Sequence, residues 1–151
     1  MIRDASKGLK DRVGKVGYVW TSAKNLRNAG NDVRVVVDGV DWFDGRASCV
    51  LVANVGTLIG GLEVFEHADP TAGQFEIGVV SAETLRQWAA LVGRALVTSP
   101  TSSPALTTTR GRKVRIELAK KQPYELDGGD RPKTKTMKFR VRPLALRICT
   151  P

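Results

Sequence analysis

The chain has 151 residues, 42% of them hydrophobic and 26% charged, enough for one domain with a real core and an ordinary globular composition. No apolar run approaches the length that spans a bilayer, and the charged start MIRDASKGLKDR is not followed by the apolar stretch of a signal peptide, so the sequence reads as intracellular. The net charge of +9 is uneven: residues 1–100 carry 11 Lys+Arg and 11 Asp+Glu, residues 101–151 carry 13 and 4, so a surface for an anionic partner is expected in the last third, against the alternative of a merely solvated face.

Leu9, Val13, Val16, Trp20 and Ala23 fall at helical spacing, which predicts an amphipathic helix over residues 8–28, weakened by Gly14 and Gly17 and stopped by NAGND. The period then changes. DVRVVVDG and ASCVLVANV are rich in β-branched residues and are punctuated by Asp38-Gly39 and Asp44-Gly45, which predicts hairpins in a β-meander. GQFEIGVV is a further strand. Ser81 is placed to cap a second helix with Glu83 in its first turn and Leu85, Trp88, Ala89, Val92 and Leu96 as its apolar stripe.

TSPTSSPALTTT reads as a loop that enters a strand near Ala105. Val114, Ile116 and Leu118 then alternate with Lys113, Arg115 and Glu117, and Met137, Phe139 and Val141 with Lys138, Arg140 and Arg142. Each segment is a strand with one apolar and one charged face, and side by side they would make a basic stripe. LALRICTP is read as a last strand. The expected class is mainly β with two helices (α+β), an antiparallel sandwich-like domain occupying residues 1–151.

Cys49 and Cys149 lie in apolar runs, and with His67 as the sole histidine no tetrahedral zinc set can be assembled. NVGTLIGG, Asn54 to Gly61, could cradle a phosphate with backbone N–H groups, but it lacks the lysine of a Walker loop and a helix directly after it. In PYELDGGDRP, two strands would meet at a tip carrying Asp127 and Asp130. Asp-Gly alone makes a turn; a carboxylate near a bound hydroxyl could also act as a general base.

VLVANVGTLIGGLEVFEHADP, GQFEIGVV, YELDGGDRP and VRPLALRICTP, in this order and preceded by GLKDRVGKVGYVWTSAKNL, resemble the C-terminal domain of the diacylglycerol kinase and sphingosine kinase superfamily of lipid kinases, over nearly the whole chain. The resemblance implies an enzyme in which Mg²⁺-ATP binds a separate N-terminal domain through a Gly-Gly-Asp-Gly-Thr loop. The β-sandwich domain would bind a lipid alcohol such as diacylglycerol and supply an Asp-Gly-Glu motif whose glutamate deprotonates the acceptor hydroxyl. Asp127 and Gly128 match the first two positions of that motif. Asp127 and Asp130 are thereby expected as catalytic residues, and Asn54, Gly60, Gly61 and Gly128 as substrate-binding ones.

Three departures qualify these expectations. The chain contains no Gly-Gly-Asp-Gly-Thr and starts where family members have already completed the ATP domain, so it is expected to be inactive alone, with Met1 an internal position of a longer ancestor and a sandwich edge left for self-association or for a separate ATP domain. The family's glutamate position is Gly129, with Asp130 the nearest substitute, one methylene shorter. The acidic Pro-Asp-Asp-Gly that helps hold a structural magnesium is Pro70-Thr71-Ala72-Gly73 here, and Glu76 alone is a poor site, so no metal is expected on this chain. The expected location is cytoplasmic, at the inner face of the membrane. The alternative is a non-catalytic basic β-domain that binds anionic membrane or nucleic acid; the latter is disfavoured because Tyr124 and Phe139 are the only aromatics in the basic third.

Overall fold

The computed structural model of the chain describes residues 30–58, 62–65, 67–97 and 103–145. The helix expected over residues 8–28 lies outside them, as do Cys149 and all but the first two residues of the expected last strand. Leu144, at the start of that segment, is instead an exposed turn residue with φ 56°.

The strands are β1 (Asn31–Val37), β2 (Val40–Ala47), β3 (Cys49–Ala53), β4 (Thr57–Leu58), β5 (Leu62–Glu63), β6 (Phe75–Val80), β7 (Leu106–Gly111), β8 (Lys113–Leu126) and β9 (Gly129–Arg140). They form antiparallel sheets of order β2-β1-β8-β9 and β3-β6-β7, with β4 and β5 as a separate pair. Period-two patterning explains the four-stranded sheet. Val33, Val35 and Val37 on β1 and Val114 and Ile116 on β8 are buried, while Asp32, Arg34, Lys113 and Arg115 between them are exposed.

The two larger sheets share one buried cluster, to which Val35 and Ile116 come from the first and Ile77 and Val79 from the second. These four side chains are almost wholly enclosed, and each such burial is worth roughly 1.5–3 kcal/mol. The Phe75 and Phe139 rings meet edge to face across the sheets at 6.4 Å. A second cluster joins Val80, Ala82 and Leu106 to Trp88 and Leu91 of helix α1 (Leu85–Val97), the one helix among the described residues.

Three expectations are corrected. Asp38-Gly39 is a hairpin turn, with φ 52° and 90° and Val37 opposite Val40, but Asp44-Gly45 lies inside β2, where Gly45 faces Val33. There is accordingly no meander: at Ser48, whose N–H donates to Val80 O, the chain crosses to the other sheet, and β3 pairs with β6. Helix α1 is capped by Thr84, not Ser81. Thr84 Oγ1 accepts the Gln87 N–H, Gln87 Oε1 accepts the N–H groups of Glu83 and Thr84, and the Ser81 N–H is already committed to Ala105 O. With that start the helix docks through Trp88 and Leu91, and Ala89, expected in the stripe, faces solvent.

The β2 edge carries a bulge between Val35 and Val36 of its partner, where Trp42 is the extra residue. The bulge lets two consecutive aromatics, Trp42 and Phe43, both pack against the core. Gly111, the last residue of β7, sits so close to the β1–β2 turn that a Cβ there would lie 2.2 Å from Val37 Cγ1. This contact fixes the root of β8, the strand that carries the candidate site.

Candidate functional site

β8 and β9 form a hairpin much longer than the sheet it belongs to. The last β8 residue paired with β1 is Leu118, and the ladder continues to Leu126 opposite Gly129. At the usual rise per residue, the tip lies about 25 Å beyond Thr136, the partner of Glu117. The point of departure is a bulge, where four residues of β8 between Glu117 and Gln122 stand against one of β9, Lys135. Buried Asn31 clamps it: its Nδ2 donates to Lys120 O at 2.9 Å and its Oδ1 accepts the Lys120 N–H at 3.3 Å. The asparagine side chain thus continues the β1 pairing where the backbone register is lost.

At the tip, Asp127 and Gly128 have φ 51° and 78°, the two left-handed residues of a two-residue hairpin turn. The Asp-Gly pair is therefore accounted for by the turn. The carboxylates are not, because the side chains of Asp127 and Asp130 have no hydrogen-bond or ion-pair partner among the described residues. Asp130 is paired directly with Glu125, one step from the closing pair. In a hairpin of this loop length that step is a non-hydrogen-bonded pair, in which opposite side chains come closest, and like charges there repel. Glu125 was missed by sequence reading. The signal was available: counting outward from a two-residue Asp127-Gly128 loop puts Glu125 opposite Asp130.

The other expected site residues are elsewhere. Asn54 is exposed just after β3. Glu125 acts on the opposite end of that strand: Cys49, the first residue of β3, has its thiol pushed up to about 11 by burial first and by the charge of Glu125 second. Asn54 is five residues further along, about 17 Å from Cys49 at strand rise. Gly60 and Gly61 lie outside the described residues, between β4 and β5. In the same motif, Gly56 serves packing. Its carbonyl accepts the N–H groups of Val64 and Phe65, and a Cβ would lie 2.2 Å from Phe65 O.

Neither Asp69 nor Glu76, the acids flanking the Pro70–Gly73 segment where the resemblance implied a magnesium site, is free. Asp69 accepts the N–H and O–H of Thr71, both at 2.7 Å, bonds that hold its carboxyl below the ordinary range. Glu76, buried on β6, is bound by the Arg110 guanidinium directly across the ladder at 2.5 Å. Among the described residues no group of three or more His, Cys, Asp or Glu could hold a metal ion, and the donor set does not fit a structural Mg²⁺. His67 is an exposed turn residue. No described helix is long and apolar enough to cross a membrane.

Residues 1–150 match the family described as the YegS C-terminal NAD kinase beta sandwich-like domain. Comparison with curated proteins gave no match. Three solved structures from Bacillus anthracis str. Sterne are similar, all described as diacylglycerol kinases, two of them provisionally. One matches with a TM-score of 0.67 at 19% identity over 85% of this chain and 44% of its own. The others match with TM-scores of 0.64, at 16% identity over 83% of this chain and 42% of theirs, and at 18% over 85% and 45%. At such identities the likeness is one of fold, and the chain spans less than half the length of these structures.

Proposed function

The chain belongs to the family of YegS C-terminal NAD kinase beta sandwich-like domains, and from that premise we propose that it is the lipid-substrate and catalytic-cleft domain of a diacylglycerol-kinase-like enzyme. The two larger sheets are read as the layers of the sandwich. The observation that carries the catalytic part is the β8–β9 tip, where unpartnered carboxylates stand at the end of a ribbon extending well beyond its sheet. A group meant only to make the turn would not need Asp130, which lies outside it.

In this reading the nucleotide is held by a second domain, because the chain has no Gly-Gly-Asp-Gly-Thr loop. Asp130 accepts the proton of the lipid hydroxyl as that oxygen attacks the terminal phosphorus of ATP and ADP leaves. Asp127 sets the turn that aims Asp130. No step is assigned to a metal on this chain.

The test is a fusion of the chain to an ATP-binding domain from the same kinase superfamily, assayed for ATP-dependent phosphorylation of diacylglycerol. Transfer is expected, and Asp130→Asn should lower kcat by about 100-fold or more with the fold intact. A folded fusion with no transfer would overturn the kinase reading. Full activity in Asp130→Asn would remove that residue from the mechanism while leaving the domain assignment standing.

A further inference from the structure

On the face of the four-stranded sheet turned away from the shared core, β8 and β9 place cations directly opposite one another. Lys113 faces Arg140, and Arg115 faces Lys138. All four are exposed. Like charges opposite each other across a ladder are destabilising, and this hairpin has two such pairs in succession. Elsewhere on the same face charge is neutralised internally: Arg34 is held by Asp41 at 2.7 Å and lies 3.6 Å from Glu117, which also binds Arg115. Lys113, Lys138 and Arg140 have no carboxylate partner among the described residues. An anion from outside would relieve their repulsion.

Along β9 this face continues from Thr136 to Thr134, which pairs with Gln122 beyond the bulge; past a second register shift between Gln122 and Tyr124, alternation along β8 leads to Tyr124 and Leu126 near the tip. Leu126 is 47% exposed. The face is therefore cationic at its root and ends in an aromatic and an aliphatic side chain. The acidic pair Glu125 and Asp130, one residue out of step with Tyr124 and Leu126, takes the other side.

We propose that the outer face of the β8–β9 hairpin docks on an anionic lipid bilayer, with the Lys113–Arg140 and Arg115–Lys138 pairs over the headgroups and Leu126 at the acyl boundary. Fixed cations backed by an amphipathic tip are what an interfacial anchor requires. A nucleic-acid strand would instead need exposed aromatic platforms. Phe139 is turned inward onto Phe75, and Tyr124 is half-buried. The proposal deepens the lipid-kinase reading by naming the surface from which the substrate would be taken, but its test needs neither ATP nor a second domain, so the two can fail separately.

The experiment is co-sedimentation of the full chain with phosphatidylcholine vesicles and with vesicles containing about 30% phosphatidylglycerol, at about 0.1 M salt. Binding to the anionic vesicles alone is expected. Each cation removed should weaken it about fivefold, so Lys138→Gln with Arg140→Gln should weaken it about 25-fold. Leu126→Ser should weaken it further, and Arg46→Gln, at the far end of the same sheet on β2, should leave it unchanged. Circular dichroism confirms that each variant is folded. No binding to anionic vesicles, undiminished binding by the double variant, or tighter binding to a single-stranded oligonucleotide than to the vesicles would each overturn the proposal.

Discussion

The protein makes the same Asp-Gly turn twice and uses the aspartate differently each time. Asp38-Gly39 and Asp127-Gly128 have nearly equal φ values, 52° and 90° against 51° and 78°. Asp38 is spent on structure: its carboxylate accepts the Arg112 and Lys113 N–H groups at 2.8–3.1 Å and ties the β1–β2 turn to the root of β8. Asp127 ends a free ribbon and binds nothing among the described residues. Identical local chemistry is thus a staple where tertiary structure brings donors to it, and an available carboxylate where it does not.

The largest effect that could break this contrast is at the staple's packing. Gly111→Val should destabilise by about 3 kcal/mol, because Val37 and Asp38 already occupy the space of any side chain, and a chemical denaturation midpoint close to wild type would refute the close approach. Asn31→Ala should cost about 2 kcal/mol by leaving the Lys120 backbone unpaired, and should raise amide exchange along the ribbon more than in the β3-β6-β7 sheet. Asp38→Asn keeps the turn but replaces one charged acceptor, for about 1 kcal/mol. Asp127→Asn should stay within about 0.5 kcal/mol, and an equal loss at both turns would erase the distinction.

The smallest effect reads the ribbon's position. The Cys49 thiol is raised from 9.0 to about 11, so the folded chain holds this proton where the unfolded chain releases it. The resulting stability is fully present below about pH 9 and is lost as pH rises through about 11. Cys49→Ala should flatten that part of the stability curve. Glu125→Gln should shift Cys49 slightly downward, as followed by alkylation mapped to that residue by mass spectrometry, and no shift at all would mean that the tip does not lie toward β3.

Much of the architecture was readable because it follows from alternation. Val33/Val35/Val37 and Val114/Ile116 announce their buried faces, and Asp38-Gly39 announces its turn. The same signal misled at Asp44-Gly45, since an Asp-Gly pair paired within a strand is indistinguishable in sequence from one that turns the chain. The helix was readable, but its cap was not: Ser81 was the expected cap, and Thr84 takes that place because Gln87 closes a reciprocal pair with it. For the candidate site, the Asp127-Gly128 turn was legible in the motif, whereas the pairing of Glu125 with Asp130 depends on the register of the hairpin.

Composition and periodicity by themselves determined that the protein is mainly β, that its basic charge lies on the last strands, and that Asp127 sits in a turn, because these depend only on residues near one another in the chain. Tertiary structure alone decided that β3 leaves the first sheet, that Glu76 is taken by Arg110, and that Glu125 confronts Asp130 at the end of a clamped ribbon. Each of those depends on register and on what another segment brings within a few ångströms, and no local pattern encodes a distance to a distant part of the chain.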